Sequence, residues 1–522
     1  MTNATPQVGT TTTDTPPPGL EQYTSDTKFF GHPRGLSTLF ATEMWERFSF
    51  YAIRPMLVLF MTTALASGGF GFDTVTASSI LGIYAASVYL TSLPGGWIAD
   101  RWLGLRRAVW YGGVLIALGH LAVALSGMLG RPVFFIGLIL IVMGTGLLKP
   151  NISAMVGDLY PEKGARRDAG FSIFYMGINL GATLGPLVAG GLRTQLGWHW
   201  GFGAAGVGML AGVITYRLRG NSTLGPIGLG TTATPDQQRT VKMIVAGSAA
   251  LMILVIALAS FGVVHINAVA VAHTILYIQV SLAVIYFLYL FVLAKLTTDE
   301  KKRVAVIGVL FIFAAIFWAG FEQAPSSLNI FARDFTDRHF LGYEIPPEWL
   351  QVVNSFFVVA LAPVFAWLWT TLGKRGIVPS SPAKFSAGLF FAGLGFLVMI
   401  PAVRTVVASN GAVKVSMMFL IVSYILQTIG ELSLSPVGLS SMTKLAPAKF
   451  AGQMMGVWFL AASVGNLIAG LAGGGVDPEK LELMPKVFNQ TVIALFAAAV
   501  ILALMIKPIS NMMKDSTVAG GH

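Results

Sequence analysis

No cysteine occurs among the 522 residues. Disulfide frameworks, thiolate metal sites and cysteine nucleophiles are therefore excluded, although the absence says nothing about compartment. Charge is also scarce: Asp, Glu, Lys and Arg make up 11% of the chain, against about 25% in an average soluble domain. The first 35 residues are rich in Thr and Pro; they lack the apolar core of a cleavable signal peptide and read as a disordered tail. No nucleophile–base or metal-ligand constellation appears, so no enzyme, metal or other cofactor is expected.

What the chain has in abundance is apolar sequence, with 55% hydrophobic residues and a mean hydropathy of +0.72. An apolar run of about 20 residues spans a bilayer as a helix, and roughly fourteen such runs can be placed. They begin near Leu36, Ala77, Arg107, Pro132, Gly170, His199, Val241, Ala268, Val304, Leu350, Phe385, Val415, Phe450 and Val487. An all-α polytopic protein of the lipid bilayer is expected. The formal charge of +11 need not mean a nucleic-acid partner. With the N-terminus inside, Arg101, Arg106, Arg107, Lys163, Arg166, Arg167, Arg217, Arg219, Lys301, Lys302, Arg303, Lys374 and Arg375 fall on the cytoplasmic side. The bias of roughly three to one over the outer side follows the positive-inside rule and places both termini in the cytoplasm.

Internal repetition points to the architecture. Pro94 precedes the basic loop at Gly104-Leu105-Arg106-Arg107 as Pro363 precedes Gly373-Lys374-Arg375. Gly144 and Pro150 recur as Gly430 and Pro436, and Asn179-Leu180 as Asn466-Leu467. Three matches in chain order predict two six-helix bundles, 36–220 and 303–510, with a linker and two accessory helices over 221–302 and a C-terminal tail over 511–522. The loop Gly95 to Arg107, with its Gly, Asp100, Arg101, Gly104 and basic cluster, resembles the signature of the major facilitator superfamily. That resemblance implies the major facilitator fold.

Charges inside the spans carry the chemistry, since each costs at least about 2.5 to 3.5 kcal/mol at a helix centre unless paired or wetted. They are Glu43, Glu46, Arg47, Arg54, Lys149, Glu322 and Glu431. In the first span Glu43, Glu46, Arg47, Phe50, Tyr51 and Arg54 share one helical face. By helical rise, Arg54 and Glu322 lie about 27 and 28 Å from the cytoplasmic ends of their helices, close enough in depth to meet. Glu46, Lys149 and Glu431, at about 15, 10 and 15 Å, can share one midplane cavity. A free peptide is a zwitterion, and cations in one half with a carboxylate in the other suit both of its termini. Trp318 stands four residues before Glu322 and shares its face. His120 and His273 read as packing residues, and the pairs Gly95-Gly96 and Gly112-Gly113 as points of close helix approach.

Four motifs then give a specific resemblance. Glu43-Met44-Trp45-Glu46-Arg47-Phe48 with Tyr51 and Arg54, Leu148-Lys149-Pro150-Asn151, Phe174 to Gly181, and Gly430 to Pro436 resemble the proton-dependent oligopeptide transporter family, over essentially 32–508. The resemblance implies an importer of dipeptides and tripeptides coupled to protons by alternating access, in the bacterial inner membrane. It implies Glu43, Glu46, Arg47 and Lys149 in proton coupling, and Arg54 and Glu322 in an outer gate. Tyr51, Arg54, Tyr84, Lys149, Asn179, Asn354, Glu431 and Trp458 would line the peptide site; Trp318 and Ser435 complete the candidates. Phe50 stands where many bacterial relatives have a second Tyr. The mammalian members' functional His in the second helix has no counterpart in Tyr84-Ala85-Ala86, so coupling would rest on carboxylates. The alternatives are the same fold carrying nitrate or a peptide-like drug, or a membrane receptor that binds peptides without turnover.

Overall fold

The computed structural model describes residues 19–514 apart from 163, 232 and 378. Most of the expected N-terminal tail (1–18), the last part of the C-terminal tail (515–522) and Lys163 lie outside the described residues. Fourteen long helices follow in order: α1 Arg34–Thr62, α2 Thr74–Ile98, α3 Leu105–Leu129, α4 Arg131–Asp158, α5 Ala165–Leu196, α6 Trp198–Leu224, α7 Pro235–Ser260, α8 Ala268–Val292, α9 Thr298–Phe321, α10 Val352–Lys374, α11 Ser381–Ala408, α12 Met418–Leu445, α13 Ala451–Gly473 and α14 Met484–Leu504. Thirteen are long and apolar enough to cross a membrane. The other is α1, which carries the charged stripe.

Local sequence sets the boundaries. Thr234 and Thr297 open α7 and α9 with capping boxes completed by Gln237 and Glu300. Gly130 alone turns α3 into α4 at φ 90°, and Gly197 alone turns α5 into α6 at φ 99°, a conformation open to glycine at little steric cost.

The two halves pack in the same pattern. In the first, α3 packs on α4 and α6, α1 on α5 and α6, and α2 on α4; in the second, α11 packs on α12 and α14, α9 on α13 and α14, and α10 on α12. The repeat seen in sequence has a packing meaning at Gly144 and Gly430. A Cβ on Gly144 would come 2.5 Å from the carbonyl oxygen of Gly112, and one on Gly430 2.6 Å from that of Gly388. Two seams join the halves, α2 with α13 and α5 with α10, and each pairs the second helix of one half with the fifth of the other. The accessory helix α8 lies on α2 and α13. Its buried Gln279 donates to Ser463 Oγ at 3.0 Å, and Ser463 donates to the Ala86 carbonyl at 2.9 Å. By contrast, only 6% of the most apolar stretch of α7 is buried.

The expected tail extends too far, because residues 20–33 form a strap across the face where α1 begins, here called the near face. Arg166 of α5 donates to the carbonyls of Thr24 and Asp26, at 3.1 and 2.9 Å, and His32 Nδ1 meets Tyr160 Oη at 2.8 Å. These anchors order a segment whose composition alone reads as disordered. At the other end Ile506–Lys514 is a short helix.

Candidate functional site

Spacing on α1 places three charges in two turns, and the first contacts are made within that helix. Arg47 is paired with Glu46 through both Nε and Nη2, the latter 2.7 Å from Oε1, and its Nε lies 3.4 Å from Glu43 Oε1. Glu43, Glu46 and Arg47 are all buried. From α4, Thr145 adds a long hydroxyl contact of 3.5 Å to Glu46, whereas Glu43 Oε2 has no hydrogen-bond partner.

Lys149, expected to share a cavity with Glu46 and Glu431, is paired with neither. Its Nζ stands 4.9 Å from the centre of the Tyr89 ring, and no carboxylate lies within 4.0 Å of it among the described residues. Arg47 takes Glu46 because the two are neighbours on one helix turn, with no second chain segment to position. Lys149 remains within electrostatic reach of Glu43, Glu46 and Glu322.

Higher on α1, Arg54 is ion-paired with Glu322, and its Nη2 also donates to Asn466 Oδ1 at 3.1 Å. Glu322 is held there because α9 gives way at that residue to a wider helical turn, Ala324–Leu328. Between Arg47 and Arg54 lies the Phe50 ring, 5.0 and 5.7 Å from the two guanidinium carbons. It stacks on Tyr84 at 6.2 Å. Phe50 thus offers a π face to two cations. The buried Tyr84 hydroxyl has no hydrogen-bond partner. Tyr51 lies within electrostatic reach of Arg47 and Arg54 on its own helix and of Glu322 and Glu431 from the other half.

In the second half Asn354 Nδ2 donates to Glu431 Oε2 at 3.1 Å and to Thr428 Oγ1 at 2.9 Å. No cation lies within 4.0 Å of Glu431 among the described residues. Ser435 is half-buried one helical turn beyond it, on the same face. Three candidates sit more inside the wall than on it. Trp458 is 5% exposed, against Phe385. Trp318 is 8% exposed between Phe317 and Phe321, its Nε1 unpartnered. Asn179 donates to the Tyr175 carbonyl of its own helix at 3.0 Å.

Sequence reasoning missed the ties that close the side opposite the near face, the far face. Asn329 donates to the Pro55 carbonyl at 2.6 Å, Arg333 to Thr62 Oγ1 at 2.7 Å, and Trp349 Nε1 to the Leu187 carbonyl at 3.0 Å. Arg193 pairs with the fully buried Glu348 at 2.7 Å. Asn466 was flagged by its recurrence with Asn179; Glu348, in a Pro-rich connection, gave no comparable signal. On the near side Tyr175 of α5 is about half exposed, within electrostatic reach of Tyr51 and Glu431.

Two pseudo-symmetric bundles with buried charges gathered at their interface and ties across one face define a secondary membrane carrier with its site at the interface of the repeats. The comparisons specify which: residues 106–479 match the POT family, and the chain belongs to that family. It is 48% identical to a peptide transporter, YePEPT, of Yersinia enterocolitica subsp. palearctica, over 94% of this chain and 96% of the relative. It is 37% identical to a di-/tripeptide transporter of Lactococcus lactis subsp. cremoris, over 93% and 98%. Among solved structures, a peptide transporter POT in complex with sulfate superposes with a TM-score of 0.86 at 40% identity, covering 94% of this chain and 99% of that one. A POT family transporter in complex with 5-aminolevulinic acid gives 0.85 at 35%, with the same coverage.

Proposed function

We propose that this protein is a symporter that carries dipeptides and tripeptides into the bacterial cytoplasm across the inner membrane, driven by protons. The observation that carries the reading is a complementary pair of unspent charges. Among the described residues Lys149 in the first half has no carboxylate within 4.0 Å, and Glu431 in the second has no cation within that distance. A peptide's carboxylate and ammonium match them, and the two named relatives are peptide transporters. A purely anionic substrate such as nitrate fits less well, since an ionised Glu431 would repel it.

The near face is cytoplasmic, because the arginine-rich loops lie there. Arg54, Glu322 and Asn466 act as the outer gate, closed in this conformation. Proton coupling rests on Glu43, Glu46 and Arg47. A peptide carboxylate that draws Arg47 away would leave Glu46 to take up a proton, since a nearby cation favours the ionised form and its loss favours the neutral one. The drive is adequate, at about 2.3 kcal/mol per charge for each 100 mV and about 1.4 kcal/mol per pH unit.

The test is dialanine uptake into proteoliposomes with and without an imposed proton gradient. Gradient-driven accumulation is expected, with driven uptake lost and counterflow retained in Glu46→Gln. Binding without accumulation in the wild-type protein would leave a receptor. Unimpaired driven uptake in Glu46→Gln would remove that residue from coupling.

A further inference from the structure

We propose that the near face carries a binding site for one anionic phospholipid, between α3, α6 and the loop 228–231. A cavity of about 420 Å³ lies there, lined by Trp102, Leu103, Arg107, Thr231 and Gln238, among others. It shares Arg107 and Leu229 with a second of about 220 Å³, lined by Trp110, Tyr111, Tyr216, Arg217 and Asn221. Among the described residues no acidic side chain lines either cavity.

The arginines around this hollow differ in how far they are committed. Arg106, at its floor, is buried and donates to Asn221 Oδ1 at 2.7 Å and to the Gly225 carbonyl. Arg107 and Arg217 are exposed, and among the described residues neither has a carboxylate within 4.0 Å. Arg217 instead rests 5.7 Å from the Trp110 ring centre. Two other near-face arginines are occupied: Arg219 donates to Ser37 Oγ, and Arg166 to Glu162 and the strap. Two free guanidinium groups across one hollow are suited to a phosphate, which takes forked donors from both.

Depth and surroundings select a lipid over a soluble phosphate. Trp102, Trp110 and Tyr111 sit at the ends of membrane-spanning helices, where such rings mark the headgroup level. From the two arginines an exposed apolar track runs towards the membrane interior, with Leu118 and Leu121 on α3 and Leu210 and Ile214 on α6. Acyl chains lie along that track while the phosphate sits between Arg107 and Arg217. Basic pockets between helices on the cytoplasmic side bind anionic headgroups for these reasons. The inference does not depend on the transported solute.

The experiment is native mass spectrometry of the full-length protein released from micelles holding phosphatidylglycerol or phosphatidylcholine. One retained phosphatidylglycerol is expected, with phosphatidylcholine lost under the same activation. Removing both charges in Arg107→Gln/Arg217→Gln should weaken retention by about thirtyfold, at the energy one basic residue near a membrane surface contributes. Arg219→Gln should leave retention unchanged. Equal retention of the two lipids, or undiminished phosphatidylglycerol in the double variant, would overturn the site. Displacement by millimolar glycerol phosphate would overturn the lipid assignment in favour of a soluble phosphate. If the double variant does not fold, the lipid comparison and the competition on the wild-type protein decide.

Discussion

The two seams between the halves are related by the repeat but are built differently. The α2·α13 seam is in contact along its length. A Cβ on Gly82 would come 2.9 Å from Gly470 Cα, Gly474 abuts Val75, and further towards the near face Tyr89 stacks on Phe459 and Gly456 meets Leu93. Accessory helix α8 is laid over this seam through Gln279. The α5·α10 seam is held at its far end, by Trp349 on Leu187 and Arg193 on Glu348; among the described residues no hydrogen bond or ion pair joins α5 to α10 further towards the near face. We read the first seam as the hinge of the carrier's movement and the second as the place where the halves part.

The largest effect is expected where the far face is tied between the seams. Removing one member of a buried ion pair costs about 3–5 kcal/mol because the other is left unpaired. Glu322→Gln should therefore shift the population strongly towards forms open at the far face, read as longer distances between spin labels at the outer ends of α1 and α9. An unchanged distribution would mean that Arg54 and Glu322 do not form a gate.

Next comes the hinge. Gly82→Leu places a side chain against the Gly470 backbone, and overpacking of this kind costs about 1–3 kcal/mol. Transport should fall about tenfold or more, while the conservative Gly82→Ala falls less. Equal activity of Gly82→Leu and wild type in a dialanine uptake assay would show that the close approach is dispensable.

A smaller change is expected at the far end of the other seam. Trp349→Phe keeps an aromatic ring but removes the donor to Leu187, and a net hydrogen bond contributes about 0.5–1.5 kcal/mol. Labels on α5 and α10 should report a modest gain in far-face opening, with α2–α13 distances unchanged. If both pairs of distances move together, the seams are not separable.

The smallest effect concerns α8. Gln279→Leu removes one interhelical hydrogen bond in the membrane, about 0.6 kcal/mol on average. The melting temperature should drop slightly and the hinge distances broaden. A variant indistinguishable from wild type in both would detach α8 from the hinge.

Much of this organisation is legible without coordinates, and the reason differs from residue to residue. The stripe from Glu43 to Arg54 is written in helical spacing, and it marks the face of α1 that carries the chemistry. The bundles follow from repeated landmarks such as Gly144 and Gly430. The comparisons bear out the family resemblance of the four motifs. Partner choice across the chain was not legible. Depth alone allowed Glu46 to meet Lys149, and only the fold shows Arg47 in that place. Spacing could not match Arg193 to Glu348, and the burial of Trp458 depends on Phe385 from another helix. The strap at 20–33 escaped because its order comes from Arg166 and Tyr160, more than a hundred residues away.

The charged stripe on α1 also bears on how the protein is made. This helix leaves the ribosome before the helices that later bury it. Glu43, Glu46, Arg47 and Arg54 sum to zero charge, and Arg47 meets both carboxylates within its own helix. Part of the neutralisation therefore travels with α1 into the membrane. Arg54 does not share that provision, since Glu322 arrives only after eight more helices. Until then its side chain must reach towards the far-side headgroups, so the membrane itself serves as its partner until the second bundle is in place.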